Sequence, residues 1–166
     1  MARRNSAADV ALGGVFAALA VVILCMGTLI PVATFLCPML CMLLLKVVLT
    51  RCGIRIGWAW YGAVAILGIL LAPDREAAAV FAFLGCYPII KPKMDTLPAK
   101  GLWKLLYFNA VILAMYWLLM HLFGMAQIAE EFAELGAVMT LVTLLLGNVT
   151  FVLLDRLLGM RLGRKR

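Results

Sequence analysis

Asp74, Arg75 and Glu76 follow Pro73 directly, two acids flanking one guanidinium where a helix begins. Acids suit that end, where the helix dipole favours negative charge. Such a cluster can close over a ligand or hold an anionic group. His121, Gln127, Glu130, Glu131 and Glu134 fall on the same side of the expected topology, where a ligand entrance above a helical bundle is expected. Solvated charge is the plainer account of these acids. Inside the apolar blocks the polar side chains are neutral: Tyr107, Asn109, Tyr116, Thr140, Thr143, Asn148 and Thr150. Ionisable groups at mid-membrane usually mark proton or ion relays, so their scarcity argues against a pump or an ion-coupled carrier. Asn109 and Asn148 suit hydrogen bonds between helices better than substrate contacts. Together with Trp60, Tyr61, Tyr87, Tyr116 and Trp117 as stacking surfaces, they also suit a pocket for a small organic molecule.

Other chemistries lack their parts. A single histidine forbids a two-histidine metal site. Cys37 and Cys41 share a helical face but have Pro38 between them and no histidine nearby. The five cysteines form no even-numbered framework and read as small packing residues. Asp155 with Arg156, and the pair Glu130 and Glu131, offer acid and base types without a nucleophile at matching depth. No Gly-rich phosphate loop occurs, so ATP hydrolysis would have to come from a partner. We expect no catalytic residue, no metal and no cofactor.

The elements positioning these groups are set by composition. Of 166 residues 66% are hydrophobic and 14% charged, with a mean hydropathy of +1.10, against roughly 25% charged in a soluble domain. The apolar residues come in long blocks, so the fold class expected is all-α: a polytopic membrane protein, one domain over 1–166, with about six transmembrane helices and a short fourth one. The blocks run from about Val10 to Ile30, Val32 to Thr50 (interrupted at Pro38), Ile56 to Ala72, Glu76 to Ile90, Leu102 to Phe123 and Leu135 to Leu158. The fourth is roughly 15 residues long, below the ~20 of an upright span. Lys91 to Lys104, with Pro92 and Pro98, reads as the longest loop, and the last two blocks as separated by the segment holding Gln127 to Glu134. The first block is too long and continuous for a removable leader.

Charge placement tests this map, because cytoplasmic loops carry the excess of Lys and Arg. Six crossings put Arg3, Arg4, Lys46, Arg51, Arg55, Lys91, Lys93, Lys100, Lys104, Arg156, Arg161, Arg164, Lys165 and Arg166 on one side and leave Arg75 on the other. Both termini are then cytoplasmic. Five crossings would move four of those lysines across, so six are favoured. The net charge of +7 therefore reads as topology and not as a nucleic-acid surface, for which no motif is present.

On the first block Ala7, Ala11, Gly14 and Ala18 recur at four, three and four residues, one face of a helix. A smooth stripe lets another backbone come close, either within the chain or on a separate membrane subunit.

The striped first helix, the breaks at Pro31 and Pro38, the short fourth helix opening at Pro73 to Glu76 and the basic tail together resemble the substrate-binding S components of energy-coupling factor (ECF) transporters. The likeness is architectural and covers nearly the whole chain. Pro73 to Glu76 leading to Gly85, Tyr87, Pro88 and Lys91 is also similar to a segment of small bacterial membrane proteins grouped near that family. The resemblance implies a bacterial plasma-membrane location and a vitamin-like or other small ligand bound from outside; the residues themselves offer Asp74, Arg75, Glu76, Asn109, Tyr116, His121 and Asn148 as its candidate binding groups. It further implies docking through Ala7, Ala11, Gly14 and Ala18 to a coupling transmembrane subunit energised by two ATPase subunits. No substrate motif of the riboflavin, thiamin or biotin subfamilies is present. Two alternatives stand beside it: a non-transporting scaffold or regulatory subunit assembling through its helix faces, and an intramembrane enzyme.

Overall fold

The computed structural model describes residues 6–29, 33–121 and 126–160, with side chains over 7–27, 35–118, 141–142 and 144–160. The described residues are all-helical, with no strand among them. Seven α-helices follow in order: α1 Ser6–Cys25, α2 Ala33–Cys52, α3 Ile54–Leu71, α4 Arg75–Leu84, α5 Tyr87–Met94, α6 Lys100–His121 and α7 Ala126–Gly159, with a 3-10 turn, Met26–Leu29, after α1. Four helical segments, Ala7–Cys25, Phe35–Cys52, Ile54–Leu71 and Lys100–Leu118, are long and apolar enough to cross a membrane. This is the composition of a membrane protein. The chain divides into two compact units, Met1–Thr96 and Leu97–Arg166.

In the first unit α1, α2 and α3 run alternately up and down against one another. At one end the Cys52 thiol donates to the Asp9 carbonyl at 3.4 Å, and Gly13 faces Ile56. At the other end the Cys25 thiol donates to the Leu71 carbonyl at 3.8 Å, and Gly27 faces Asp74. Midway the Cys41 thiol donates to the Ala20 carbonyl at 3.4 Å. The first end also carries Arg51 and Arg55 and is called the basic end below. Glycines set the helix spacing: a Cβ at Gly57 would run into Leu49, and one at Gly68 would come within 3.0 Å of Leu24.

The short helix α4 is largely enclosed, with Ala77, Ala78, Ala79, Val80, Phe81 and Leu84 buried. Three consecutive alanines admit it against α2 and α3. Asp74 starts it by accepting the Ala77 N–H at 3.0 Å, the ordinary N-cap arrangement. Gly85 ends it, because a Cβ there would collide with the Phe81 carbonyl and lie 3.0 Å from its ring.

Four expectations are corrected. The fourth block is two helices, since the chain breaks at Gly85 and Cys86 before α5; α4 alone rises about 15 Å against a hydrocarbon layer of about 30 Å. The stretch from Lys91 to Lys104 is not a loop: α5 runs on to Met94 and α6 begins at Lys100. Pro88 stands at the start of α5, where its missing N–H costs nothing, and Pro92 is accommodated within it. Pro38 does not interrupt α2, which passes through it with the ring fully buried. Gln127 to Glu134 do not form a separating segment, because α7 begins at Ala126 and carries them in its first turns. Ile30, Pro31, Arg3, Arg4 and the tail from Arg161 lie outside the described residues, as do the side chains of Gln127, Glu130, Glu131, Glu134, Thr140 and Thr143.

The second unit is the antiparallel pair of α6 and α7. Three interactions climb it like rungs. Lys104 meets both carboxylate oxygens of Asp155 at 3.1 and 3.0 Å. Phe108 stacks on Phe151 with ring centroids 4.6 Å apart and planes 20° apart. Asn109 pairs with Asn148.

Candidate functional site

The residues that sequence marks for substrate divide between the units, Asp74, Arg75 and Glu76 in the first and Asn109, Tyr116, His121 and Asn148 in the second. At the end of the first unit opposite the basic end, Asp74 has one carboxylate oxygen on the Ala77 N–H. Its other oxygen faces Gly27, 3.5 Å from where a Cβ would stand. A glycine here leaves room beside the carboxylate. Glu76 is half-buried and Arg75 exposed, so the guanidinium is presented outward from the turn that Asp74 fixes.

In the second unit the two amides are mutually engaged. Asn109 Nδ2 donates to Asn148 Oδ1 at 2.9 Å and to the Leu105 carbonyl at 2.8 Å. Asn148 Nδ2 donates to Asn109 Oδ1 at 3.1 Å and to the Leu144 carbonyl at 2.8 Å. Each amide has two N–H groups, so all four are engaged and the pair acts as a clasp between α6 and α7. Tyr116 is half-buried on α6, and His121 closes that helix with its side chain outside the described residues. A shallow groove beside α7, lined by Leu145, Asn148, Val149, Val152, Leu153 and Arg156, is mainly apolar.

Aromatic groups cluster in the first unit. Phe81 lies edge-on to Trp60 at 6.3 Å and tilted against Tyr61 at 6.0 Å, and Tyr61 meets Trp58 edge-on at 6.0 Å. The Tyr61 hydroxyl donates to the Ala82 carbonyl, joining α3 to α4. The Trp60 indole N–H is buried and finds no acceptor among the described residues. Tyr87 is fully buried.

On α1 the stripe Ala7, Ala11, Gly14 and Ala18 is exposed throughout, and a Cβ at Gly14 would meet nothing within 4 Å. The opposite face, with Gly13, Ala20 and Leu24, packs within the unit. The stripe is therefore not what holds α1 to α2 and α3.

Two further pairings are not drawn from the sequence, where Lys104 falls in a loop and Lys46 and Lys91 count only toward topology. The signal for the first is Asp155 itself: an acid inside an apolar helix requires a partner. The second is Lys91, buried on α5 where that helix packs against α2 and reached by Asp95 at 3.8 Å, for which only the fold supplies a signal.

No family model matches the chain, and neither a curated protein nor a solved structure matches it.

Proposed function

We propose that this chain is the substrate-binding membrane subunit of an ECF-type importer in a bacterial plasma membrane, taking up a vitamin-like or other small organic molecule with energy from partner ATPases. The observation that carries the reading is the exposed small-residue face of α1. A membrane helix whose other side already makes the internal contacts, and whose outer side is smooth along Ala7, Ala11, Gly14 and Ala18, is suited to close backbone packing with a partner helix. Ligand entry is assigned to the end where Arg75 is presented beside Asp74 and Glu76, and the interior to neutral polar and aromatic groups.

The topology in this reading has six crossings with both termini cytoplasmic. Two features support it. Chain direction through α4 and α5 leads from Asp74, beside Gly27, to Lys91 on a helix that packs against α2. The apolar second half of α7, from about Leu135, has the length and composition for a further crossing.

A tagged chain expressed with candidate coupling and ATPase subunits tests the docking face. Ala11→Leu with Ala18→Leu is expected to cut recovery of the partner subunits at least about tenfold, the effect of removing a close-packed contact worth over 1 kcal/mol. Full recovery with both leucines in place would sink the reading. A second reading, a non-transporting scaffold or regulatory subunit, draws support from the Asn109 and Asn148 clasp, in which the candidate ligand donors serve helix association instead. Saturable uptake of a small molecule that needs the chain separates the two.

A further inference from the structure

Along α7, Leu145, Val149, Val152 and Arg156 recur at four, three and four residues, with Asn148 and Leu153 to either side, so the shallow groove follows one face of the helix. Phe151 and Asp155 turn instead toward α6. The groove ends at Arg156, in the last turn of α7. Its guanidinium is exposed and forms no ion pair among the described residues, while both oxygens of the adjoining Asp155 carboxylate are on Lys104.

A groove on a membrane helix takes either a second helix or a lipid chain. Helices associate in lipid through small residues or through polar side chains that bond across the contact. This groove is walled by branched Leu and Val, and the Asn148 amide N–H groups are already on Asn109 and the Leu144 carbonyl. A partner helix finds neither means of association here. A flexible acyl chain needs only dispersion contacts.

Depth and charge extend the match to a whole phospholipid. The register that joins Lys104 to Asp155 sets Trp103 at the height of Arg156, and Trp103 is 47% exposed. Exposed indoles on membrane helices sit at the headgroup level, so the guanidinium lies where lipid phosphates are. Leu145 stands eleven residues back along α7, about 16 Å of helix, and one leaflet of a hydrocarbon layer about 30 Å thick is about 15 Å deep. The groove thus runs the depth of one leaflet with a cation at its polar end. Arginine's planar fork matches the oxygens of a phosphate.

We infer that this groove seats one anionic phospholipid, its phosphate on Arg156 and an acyl chain along Val152, Val149 and Leu145. A zwitterionic lipid carries the same phosphate with an ammonium that offsets it, so net negative charge is what the site selects. The inference shares the crossing of α7 with the proposed topology and does not rest on the importer reading.

Native mass spectrometry of the full chain in a neutral detergent tests it, with phosphatidylglycerol or phosphatidylcholine of the same acyl chains, each bearing a photoactivatable group at mid-chain. The wild type is expected to hold phosphatidylglycerol about fivefold more tightly, the effect of one basic residue at the membrane surface. On illumination that lipid should label the stretch from Leu145 to Leu153. Arg156→Gln loses the preference and Arg156→Lys keeps most of it. Leu153→Trp fills the groove, leaves the guanidinium in place and also loses it. Both altered positions are exposed, so the seam with α6 stays intact. Arg51→Gln and Lys93→Gln, in the first unit, leave the preference unchanged. Labelling of α7 by both lipids without preference keeps the crossing and overturns the site. Arg156→Gln holding phosphatidylglycerol like the wild type overturns it as well, as does labelling confined to other helices. A second copy of the chain retained in place of lipid, and lost with Leu153→Trp, makes the groove a dimer seam and equally overturns the inference.

Discussion

The two units hold their helices together by different means. In the first, α1 to α5 approach closely through Gly13, Gly57, Gly68 and the alanines of α4, and side-chain hydrogen bonds run mostly to backbone carbonyls: Cys41 to Ala20, Cys52 to Asp9, Tyr61 to Ala82. In the second, two helices meet through side-chain pairs, an ion pair and a double amide bond on either side of one aromatic stack. Lipid is as apolar as a leucine side chain, so hydrophobic burial does not drive helices together within it. Five helices can compensate with dispersion contacts over many small-residue approaches. A two-helix unit has a single seam and uses polar pairs whose alternative is an unsatisfied group in hydrocarbon.

The sharpest way to break this contrast is Lys104→Met. It leaves the Asp155 carboxylate, 21% exposed, without its ammonium, and should cost the α6 and α7 pair about 3 kcal/mol, as for removing one partner of a largely buried ion pair. Unfolding by a denaturing detergent, followed by Trp103 and Trp117 fluorescence, measures it. Adding Asp155→Leu should restore most of the loss, and a double variant no better than the single would show that the charge pair is not what holds the seam.

Gly85→Ala probes the first unit by overpacking. The added methyl meets the Phe81 carbonyl, so the turn between α4 and α5 must shift, at a cost of about 2 kcal/mol. Hydrogen exchange should show earlier opening of α4 with α6 and α7 unchanged. The smallest effect belongs to Asn109→Leu with Asn148→Leu. Interhelical hydrogen bonds in membranes average about 0.6 kcal/mol, so the double variant should melt within a few degrees of the wild type, and a collapse of the fold would mean that the amide pair matters more than the ion pair.

How much of this is legible in the sequence depends on range. Apolar block length is a local property, and it places α2, α3 and α6 within about two residues of their ends and α1 within about five. Asp74 as a helix start is likewise local and stands as an N-cap. The Lys91 to Lys104 stretch misleads because Pro92, Pro98 and four lysines read as solvent-facing, whereas Pro92 fits within the short helix α5 and Lys91 is turned inward. Packing overrides composition there. Asn109 and Asn148 are recognisable as hydrogen-bonding residues, but that they choose each other across 39 positions follows from the register of α6 on α7. The same register brings together Lys104 and Asp155, separated by 51 positions. Nothing within one helix encodes it.

That separation has a consequence for biogenesis. Lys104 belongs to a segment apolar enough to enter lipid, yet its counter-charge is synthesised 51 residues later. At about 5–20 residues per second the ribosome needs about 3 to 10 s to cover that stretch. Throughout the interval the ammonium has no carboxylate from α7 to meet, so a chain cut short between Lys104 and Asp155 is expected to insert α6 less completely than one that extends past Asp155 and can form the ion pair.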